Sequence, residues 1–151
     1  MIAYTRETVA RVRADIEPLL AMHYAEIGQR DLDMQADWDG YLKAEAEGKL
    51  FILTARVNGT LVGYNVMLLI NHPHYKGAKV AQNDVIYVTP DYRRGRVGLG
   101  LVKYFEAAMR ECGFDKIYYH AKPCNDFGKL LERLGYAAVE TIHAKFIGEE
   151  D

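Results

Sequence analysis

The segment from Arg93 to Gly98 is both cationic and rich in small side chains. It reads Arg-Arg-Gly-Arg-Val-Gly, so three arginines fall within four positions. Arginine binds phosphate oxygens through charge-assisted hydrogen bonds, and the start of a helix adds unpaired backbone N–H groups and a positive dipole end. If a helix begins here, the segment is suited to bind a phosphate.

A strand and a helix are predicted on either side of this loop. Residues 85–88 are β-branched or aromatic and run into Thr89-Pro90, which is typical of a strand that ends there. After the loop, Val97, Leu101, Phe105 and Ala108 recur at helical spacing and form one apolar face. The alternative is an ordinary glycine-containing turn between a strand and a helix.

These residues resemble the acyl-CoA signature of the GCN5-related N-acetyltransferase (GNAT) superfamily, Q/R-x-x-G-x-G/A after a V-x-P strand end. Val88-Thr89-Pro90 matches V-x-P, Arg93 takes the Q/R position and Gly98 the second glycine, while Arg96 stands where the first glycine is usual. A second frame, Gly95-x-x-Gly98-x-Gly100, keeps both glycines but loses the leading Q/R. The segments NHPHYKG, DVIYV and DFGKLLERLGY look most like phage- and prophage-encoded members.

The resemblance covers nearly the whole chain and implies an α/β (α+β) GNAT fold in one domain, residues 1–151. That fold has a mixed central sheet of about six strands, helices on both faces and a splayed central strand pair. Periodicity and turn residues indicate the other elements. They are a short strand near residues 2–5, helices near 9–27 and 38–47, hairpin strands 50–57 and 60–70 around Asn58-Gly59, a strand 116–122, a helix 126–134 and a last strand 139–146.

Composition narrows the function classes. The net charge of −2 and the pI of about 6.2 make general nucleic-acid binding an unfavourable reading. No apolar run reaches membrane length, and Cys112 and Cys124 form neither a metal spacing nor a disulfide framework. We therefore expect no metal and no membrane contact, and a cytoplasmic setting, which is the host cytoplasm if the chain is phage-encoded.

For the chemistry, the resemblance implies acetyl-CoA as the acyl donor and direct attack by an amine. Val88 would supply a backbone N–H to the developing oxyanion. The general base is either Asp84, at the head of the strand that runs into Thr89-Pro90, where the family often has a glutamate, or His120, because histidine changes charge near neutral pH. The residues expected to bind acetyl-CoA are Val88, Arg93, Arg94, Gly95, Arg96, Val97, Gly98 and Asn125.

The resemblance places the acceptor near His74, Tyr75 and Tyr118, and near an acidic connection at residues 29–37. His72-Pro73-His74 has two metal-ligand side chains but no third ligand nearby in sequence. Leu131 occupies the position of the tyrosine that protonates the leaving thiolate in many members, so Tyr118 or His120 would have to donate, or the thiolate leaves unprotonated.

Two function classes follow. The first is an acyl-CoA-dependent N-acetyltransferase acting on an amine-bearing small molecule or protein, with a homodimer compatible with it. The second is a non-catalytic acyl-CoA-binding or GNAT-fold interaction domain, which Leu131 and Arg96 favour.

Overall fold

The computed structural model describes residues 1–27, 32–122 and 126–149. Five strands and four α-helices are formed there, with a short 3-10 turn at Pro90–Tyr92. In chain order they are β1 (Ile2–Arg6), α1 (Val9–Ile27), α2 (Trp38–Ala46), β2 (Leu50–Val57), β3 (Thr60–Asn71), β4 (Lys79–Val88), α3 (Val97–Glu111), β5 (Lys116–Tyr118) and α4 (Phe127–Arg133).

The strands form one mixed sheet in the order β1-β2-β3-β4-β5. The strands β1 to β4 pair antiparallel with one another, and β5 pairs parallel with β4. Asn58 and Gly59 join β2 to β3 with φ angles of 49° and 82°, the left-handed backbone that a two-residue hairpin requires. The predicted hairpin is therefore confirmed.

Helices cover both faces of the sheet. On one face, α1 and α2 bury a cluster with Val12, Ile16, Tyr64 and Tyr87 at its centre. On the other face, α3 buries Leu101 and Phe105 against the sheet, as the helical spacing predicted. The segment after α4 packs beside α3, where the Tyr136 hydroxyl donates to Glu106 at 3.1 Å.

The pairing of β4 with β5 is short. Val80–Gln82 pairs with Lys116–Tyr118, and within the described residues no strand lies beside β4 from Asn83 onward on that side. β4 itself continues to Val88, paired with β3 throughout. The two central strands therefore separate after three residues, which confirms the predicted splayed pair.

Two strand predictions were wrong. The strand expected over 116–122 ends at Tyr118, where the chain leaves β4 and Tyr119 turns across that strand towards β3. The strand expected over 139–146 is not formed. A strand needs a neighbouring edge for its backbone hydrogen bonds, and β5 offers an edge of three residues only. The described sheet thus has five strands, not about six.

A buried carboxylate ties the N-terminal segment to the sheet. Glu7, between β1 and α1, is 7% exposed. It accepts hydrogen bonds from Arg56 of β2 at 2.9 and 3.1 Å, from Arg11 at 3.1 Å and from the Thr54 hydroxyl. Burial by itself would raise the pKa of Glu7, but these hydrogen bonds and charges outweigh burial, and the pKa is lowered from its ordinary value of 4.5.

We predict that Glu7→Gln lowers the free energy of unfolding at pH 7 by about 1.5–3 kcal/mol, because it removes the charged hydrogen bonds between Glu7 and Arg56 and leaves Arg56 with its ion pair to Asp15 at 2.8 Å. Since the folded-state pKa of Glu7 lies below 4.5, its stabilisation is complete above that pH and is lost as the pH falls through the folded-state value. Urea unfolding of both proteins between pH 3 and 7 measures this.

The matched control is Glu17→Gln, whose partner Arg13 is 3.1 Å away on the surface of α1. An exposed pair contributes about 0–1 kcal/mol. Equal losses of stability in the two variants would contradict the role of Glu7.

Candidate active site

The centre of β4 carries a β-bulge at Asp84. Asn83 is paired with Met67 of β3 and Val85 with the preceding residue Val66, so Asp84 has no partner opposite it. At this point the alternation of β4 side chains between the two faces of the sheet shifts by one residue. Ala81 and Ile86 pack on the α3 face, whereas Val85 and Tyr87 pack on the α1/α2 face.

The bulge places Asp84 on the same face as Val85, beneath α2. There the Tyr41 hydroxyl donates to Asp84 Oδ2 at 2.5 Å. Burial, followed by the hydrogen bond to the carboxylate, raises the pKa of the Tyr41 phenol above its ordinary value, so Tyr41 remains a donor. Sequence reasoning missed Tyr41, because nothing in the pattern of α2 shows which strand that helix covers. It also placed Asp84 at the head of the strand, whereas β4 begins at Lys79.

The second candidate base, His120, lies on an exposed stretch beyond β5. Its Nε2 is 3.3 Å from Nε2 of Gln82, which precedes Asp84 by two residues on β4. The structure therefore brings both candidate bases to the same strand. Asp84 is held by a helix, whereas His120 is held through one side-chain contact.

The predicted pocket residues gather around His72 at the N-terminal end of β4. The His72 ring centroid is 4.8 Å from Tyr75, 5.2 Å from His74 and 6.5 Å from Tyr118. This end of the strand is opposite to the one that carries Val88, with Asp84 between them. In the described ranges, no three His, Cys, Asp or Glu side chains come together in a way that could hold a metal ion.

The arginine loop lies at the other end of β4, where α3 begins. Arg96 is the N-cap residue and its side chain makes no capping hydrogen bond, so the first backbone N–H groups of the helix, from Val97 onward, have no intrahelical acceptor. The side chains of Arg94 and Arg96 are exposed and form no ion pair with the described residues. Such groups are of the kind that binds a diphosphate, and the binding of acetyl-CoA by this loop stays a prediction.

Arg93 is placed differently from the other two arginines. Its guanidinium donates to both oxygens of Glu26 on α1, at 2.9 and 2.7 Å, and to the Val88 carbonyl at 2.8 Å. It also lies 5.3 Å from the Tyr87 ring centroid. The side chain predicted to bind the cofactor thus fastens α1 to the end of β4.

The Val88 N–H points into the space between the separated strands. Thr89 donates its own N–H to the Val62 carbonyl of β3 at 2.9 Å. Because successive N–H groups alternate in direction along a strand, the Val88 N–H is directed away from β3. This orientation is the one that the predicted oxyanion contact needs.

A buried chain of polar side chains crosses the α3 face at the splay. Asn83 donates to Asn65 Oδ1 at 3.0 Å, and Asn65 donates to the Tyr119 hydroxyl at 3.0 Å. Burial raises the pKa of the Tyr119 phenol. Sequence reasoning considered Tyr118 and missed Tyr119. Because side chains alternate along a strand, Tyr119 could have been expected on the face opposite to that of Tyr118. Leu131, in contrast, is buried in the core, and Asn125 lies outside the described residues.

The chain matches the sequence profile of the Acetyltransferase (GNAT) family over residues 14–136, which is more than half of its length. The chain belongs to the GNAT family. No curated protein matches it, and nothing in the comparisons supports the narrower likeness to phage-encoded members.

Solved structures share the GNAT fold with this chain. A ribosomal-protein-alanine N-acetyltransferase from Brucella melitensis biovar Abortus 2308 is 23% identical, with a TM-score of 0.74 over 98% of this chain and 100% of that one. An aminoglycoside acetyltransferase from an uncultured soil metagenomic sample, in complex with sisomicin, is 15% identical, with a TM-score of 0.75 over 98% and 97%. A predicted acetyltransferase with acetyl-CoA from Clostridium acetobutylicum is 14% identical, with a TM-score of 0.70 over 97% of both chains.

The two glycines that α3 offers to the GNAT motif have different surroundings. A Cβ at Gly98 would meet Leu130 at 3.8 Å and Val88 at 3.9 Å, which is ordinary contact, whereas a Cβ at Gly100 would lie 2.0 Å from the Tyr4 hydroxyl oxygen. That hydroxyl donates to the Arg96 carbonyl at 3.1 Å. Packing against β1 thus explains Gly100, which favours the frame that starts at Arg93.

We predict that Gly100→Ala destabilises the protein by about 1–3 kcal/mol, because the added methyl group displaces Tyr4. Gly98→Ala should be neutral or stabilising by up to about 1 kcal/mol, because alanine is the better helix former. Thermal unfolding of the two variants compares them, and the double variant Tyr4→Ala/Gly100→Ala tests the cause. A Gly100→Ala protein as stable as Gly98→Ala would refute the packing explanation.

Proposed function

We propose that this GNAT protein is an N-acetyltransferase that moves an acetyl group from acetyl-CoA to a primary amine by direct attack. The observation that carries the proposal is the arrangement along β4. One rigid strand presents a carboxylate at its centre, an unpaired N–H at its end and a cationic helix start immediately beyond it. The family match and the neighbour with acetyl-CoA support the choice of donor.

The donor would be held at the start of α3. The start of α3 lies close to the end of β4, since a Cβ at Gly98 would be 3.9 Å from the Val88 side chain. The free side chains of Arg94 and Arg96 add two positive charges at the same place. These groups together suit the diphosphate of acetyl-CoA. Acetyl-CoA, when bound, supplies the acetyl group through its thioester.

The chemical step needs a donor for the carbonyl oxygen and an acceptor for the proton of the amine. The Val88 N–H would stabilise the negative charge that develops on that oxygen. Asp84 lies four residues earlier, about 13 Å along the strand at about 3.3 Å per residue, so its carboxylate would act through ordered water. A carboxylate and an N–H on one strand are held at a fixed separation, which favours catalysis by positioning.

The bonds change in a simple order. The amine nitrogen forms a bond to the carbonyl carbon, the carbon–sulfur bond breaks, and the amine proton passes by way of water to Asp84. The thiolate then takes up a proton. Tyr119, whose hydroxyl accepts from Asn65 at 3.0 Å and keeps its own proton, is the donor that best replaces the missing tyrosine at Leu131.

A non-catalytic acyl-CoA-binding domain is the second candidate. Leu131 favours it, because a buried apolar side chain stands where many family members have a tyrosine. Incubating the protein with acetyl-CoA and a mixture of amines separates the two. Release of CoA that depends on the amine supports the transferase, whereas tight binding of acetyl-CoA without release supports the binding domain.

We predict that Arg96→Ala weakens CoA binding by roughly 10- to 100-fold, since a hydrogen bond to a charged group contributes about 1.5–3 kcal/mol. Calorimetric titration with CoA and with dephospho-CoA locates its partner. A larger loss for CoA assigns Arg96 to the 3′-phosphate, and equal losses assign it to the diphosphate. Unchanged affinity for both would remove Arg96 from the site.

We predict that Asp84→Asn lowers kcat by about 10²–10⁴-fold, the usual contribution of a general base, and leaves the affinity for acetyl-CoA unchanged. His120→Gln is the comparison, because His120 contacts the same strand through Gln82. The pH–rate profiles of the two variants are to be recorded with an amine that the wild type accepts. Full turnover by Asp84→Asn, with the neutral limb of the profile lost only in His120→Gln, would assign the base to His120.

A further inference from the structure

A cavity of about 390 Å³ lies between the sheet and the helices α1 and α2. Its size is at the lower end of the range of small-molecule sites, about 300–1,000 Å³. The walls are mainly apolar or aromatic. They comprise Ile16, Leu20, Met34, Gln35, Ala36, Asp37, Trp38, Gly40, Tyr41, Ala44, Ile52, Tyr64, Val66, Leu68 and Val85.

The hydrogen-bonding side chains in these walls are largely occupied. Asp37 accepts from the Gly40 N–H at 3.0 Å and so caps α2. The Tyr41 hydroxyl donates to Asp84. The Tyr64 hydroxyl, by contrast, is buried without a hydrogen-bond partner and could accept or donate one bond. A ligand with several hydroxyl or ammonium groups would therefore lose the water around most of them without gaining partners, which is unfavourable, whereas a hydrocarbon group would gain from burial.

The candidate base stands at the edge of the cavity. Val85, the residue after Asp84, lines the cavity, and the bulge turns both side chains to this face of the sheet. Tyr41 also lines the cavity while it holds the Asp84 carboxylate. An amine that approaches Asp84 would have its carbon skeleton directed against these apolar walls.

We propose that the acceptor is a primary amine attached to an apolar group of about the size of one aromatic ring. The apolar group occupies the cavity, and the amine extends from it towards the Val88 N–H, where the thioester carbonyl would lie, with ordered water between the amine and Asp84. Transfer forms the nitrogen–carbon bond of the amide, breaks the carbon–sulfur bond and yields the amide and CoA as its thiol, because the proton that the neutral amine loses is balanced by the one that the thiolate takes up. The inference rests on the proposed function, and it excludes polyhydroxylated and polycationic amines as good acceptors.

The wild-type protein tests the acceptor class. CoA release is measured with 2-phenylethylamine, with a tetrapeptide that begins with phenylalanine, with spermidine and with an aminoglycoside. We expect kcat/KM for the better of the two aromatic amines to exceed that for the polar amines by about 10- to 100-fold, the effect of burying one ring. Faster reaction of 2-phenylethylamine would indicate a free small molecule as the acceptor, and faster reaction of the tetrapeptide would indicate the N-terminus of a polypeptide chain. Faster turnover of spermidine or the aminoglycoside would overturn the inference and leave the transferase function standing.

A cavity-filling variant tests the location. Ala44 lines the cavity, whereas Ala46, two residues further along α2, is exposed. We expect Ala44→Phe to lower kcat/KM for the preferred aromatic amine by about 10- to 100-fold, with the affinity for acetyl-CoA unchanged, and Ala46→Phe to have no effect. Equal activity of the two variants would overturn the location. If Ala44→Phe does not fold, Leu68→Ala replaces it. We expect this enlarged cavity to shift the preference towards an amine that carries a naphthyl group. An unchanged preference would overturn the location.

Measuring the binding of the amine directly distinguishes a failure of the cavity proposal from a failure of the proposed transferase function. Titration of 2-phenylethylamine into the protein without acetyl-CoA, followed by NMR, reports on the cavity even if no amine releases CoA. Binding to the wild type and to Ala46→Phe, but not to Ala44→Phe, would support the cavity while the transferase function failed. No CoA release and no binding to the wild type would overturn both.

Discussion

The unequal pairing of β4 governs the rest of the structure. β3 accompanies this strand along its whole length, whereas β5 accompanies it for three residues. The paired edge holds β4 in place along its length, and the open edge leaves backbone groups such as the Val88 N–H without a strand to bind. A fully paired strand could not offer these groups to a substrate, and an isolated strand could not hold them in place.

The bulge at Asp84 adds a second asymmetry. Asn83 faces α3, so Asp84 faces α1/α2 by ordinary alternation, and without the bulge Val85 would face α3, on the opposite side of the sheet from Asp84. With it, the two side chains share the α1/α2 face, so that a charged group and an apolar wall stand side by side. Bulges are known to re-aim side chains near active sites. Here one extra residue brings the Asp84 carboxylate and the Val85 side chain to the same face of the sheet.

The arginine loop divides structural and binding tasks among similar residues. Arg93 holds α1 to the end of β4 through Glu26, and Gly100 allows Tyr4 of β1 to reach the loop. Arg94 and Arg96 form no ion pair with the described residues, and a Cβ at Gly98 would make only ordinary contacts. The fastened residues give the helix start a fixed direction, which a loop of mobile arginines would lack. The match to the GNAT family and the geometry of the loop therefore agree, although Arg96 departs from the motif.

Local sequence determined much of this protein. Helical spacing defined α1 and α3, Asn58-Gly59 defined the hairpin, and the motif placed the arginine loop before α3, because each depends on contacts a few residues apart. Tertiary structure alone decided which face Asp84 takes, that Tyr41 holds it, that Arg93 is paired and that Gly100 serves packing. It also shortened the strand at 116–122 and removed the one at 139–146. Strands and bulges depend on partners distant in the chain, and a period of two residues cannot record the single insertion that reverses it.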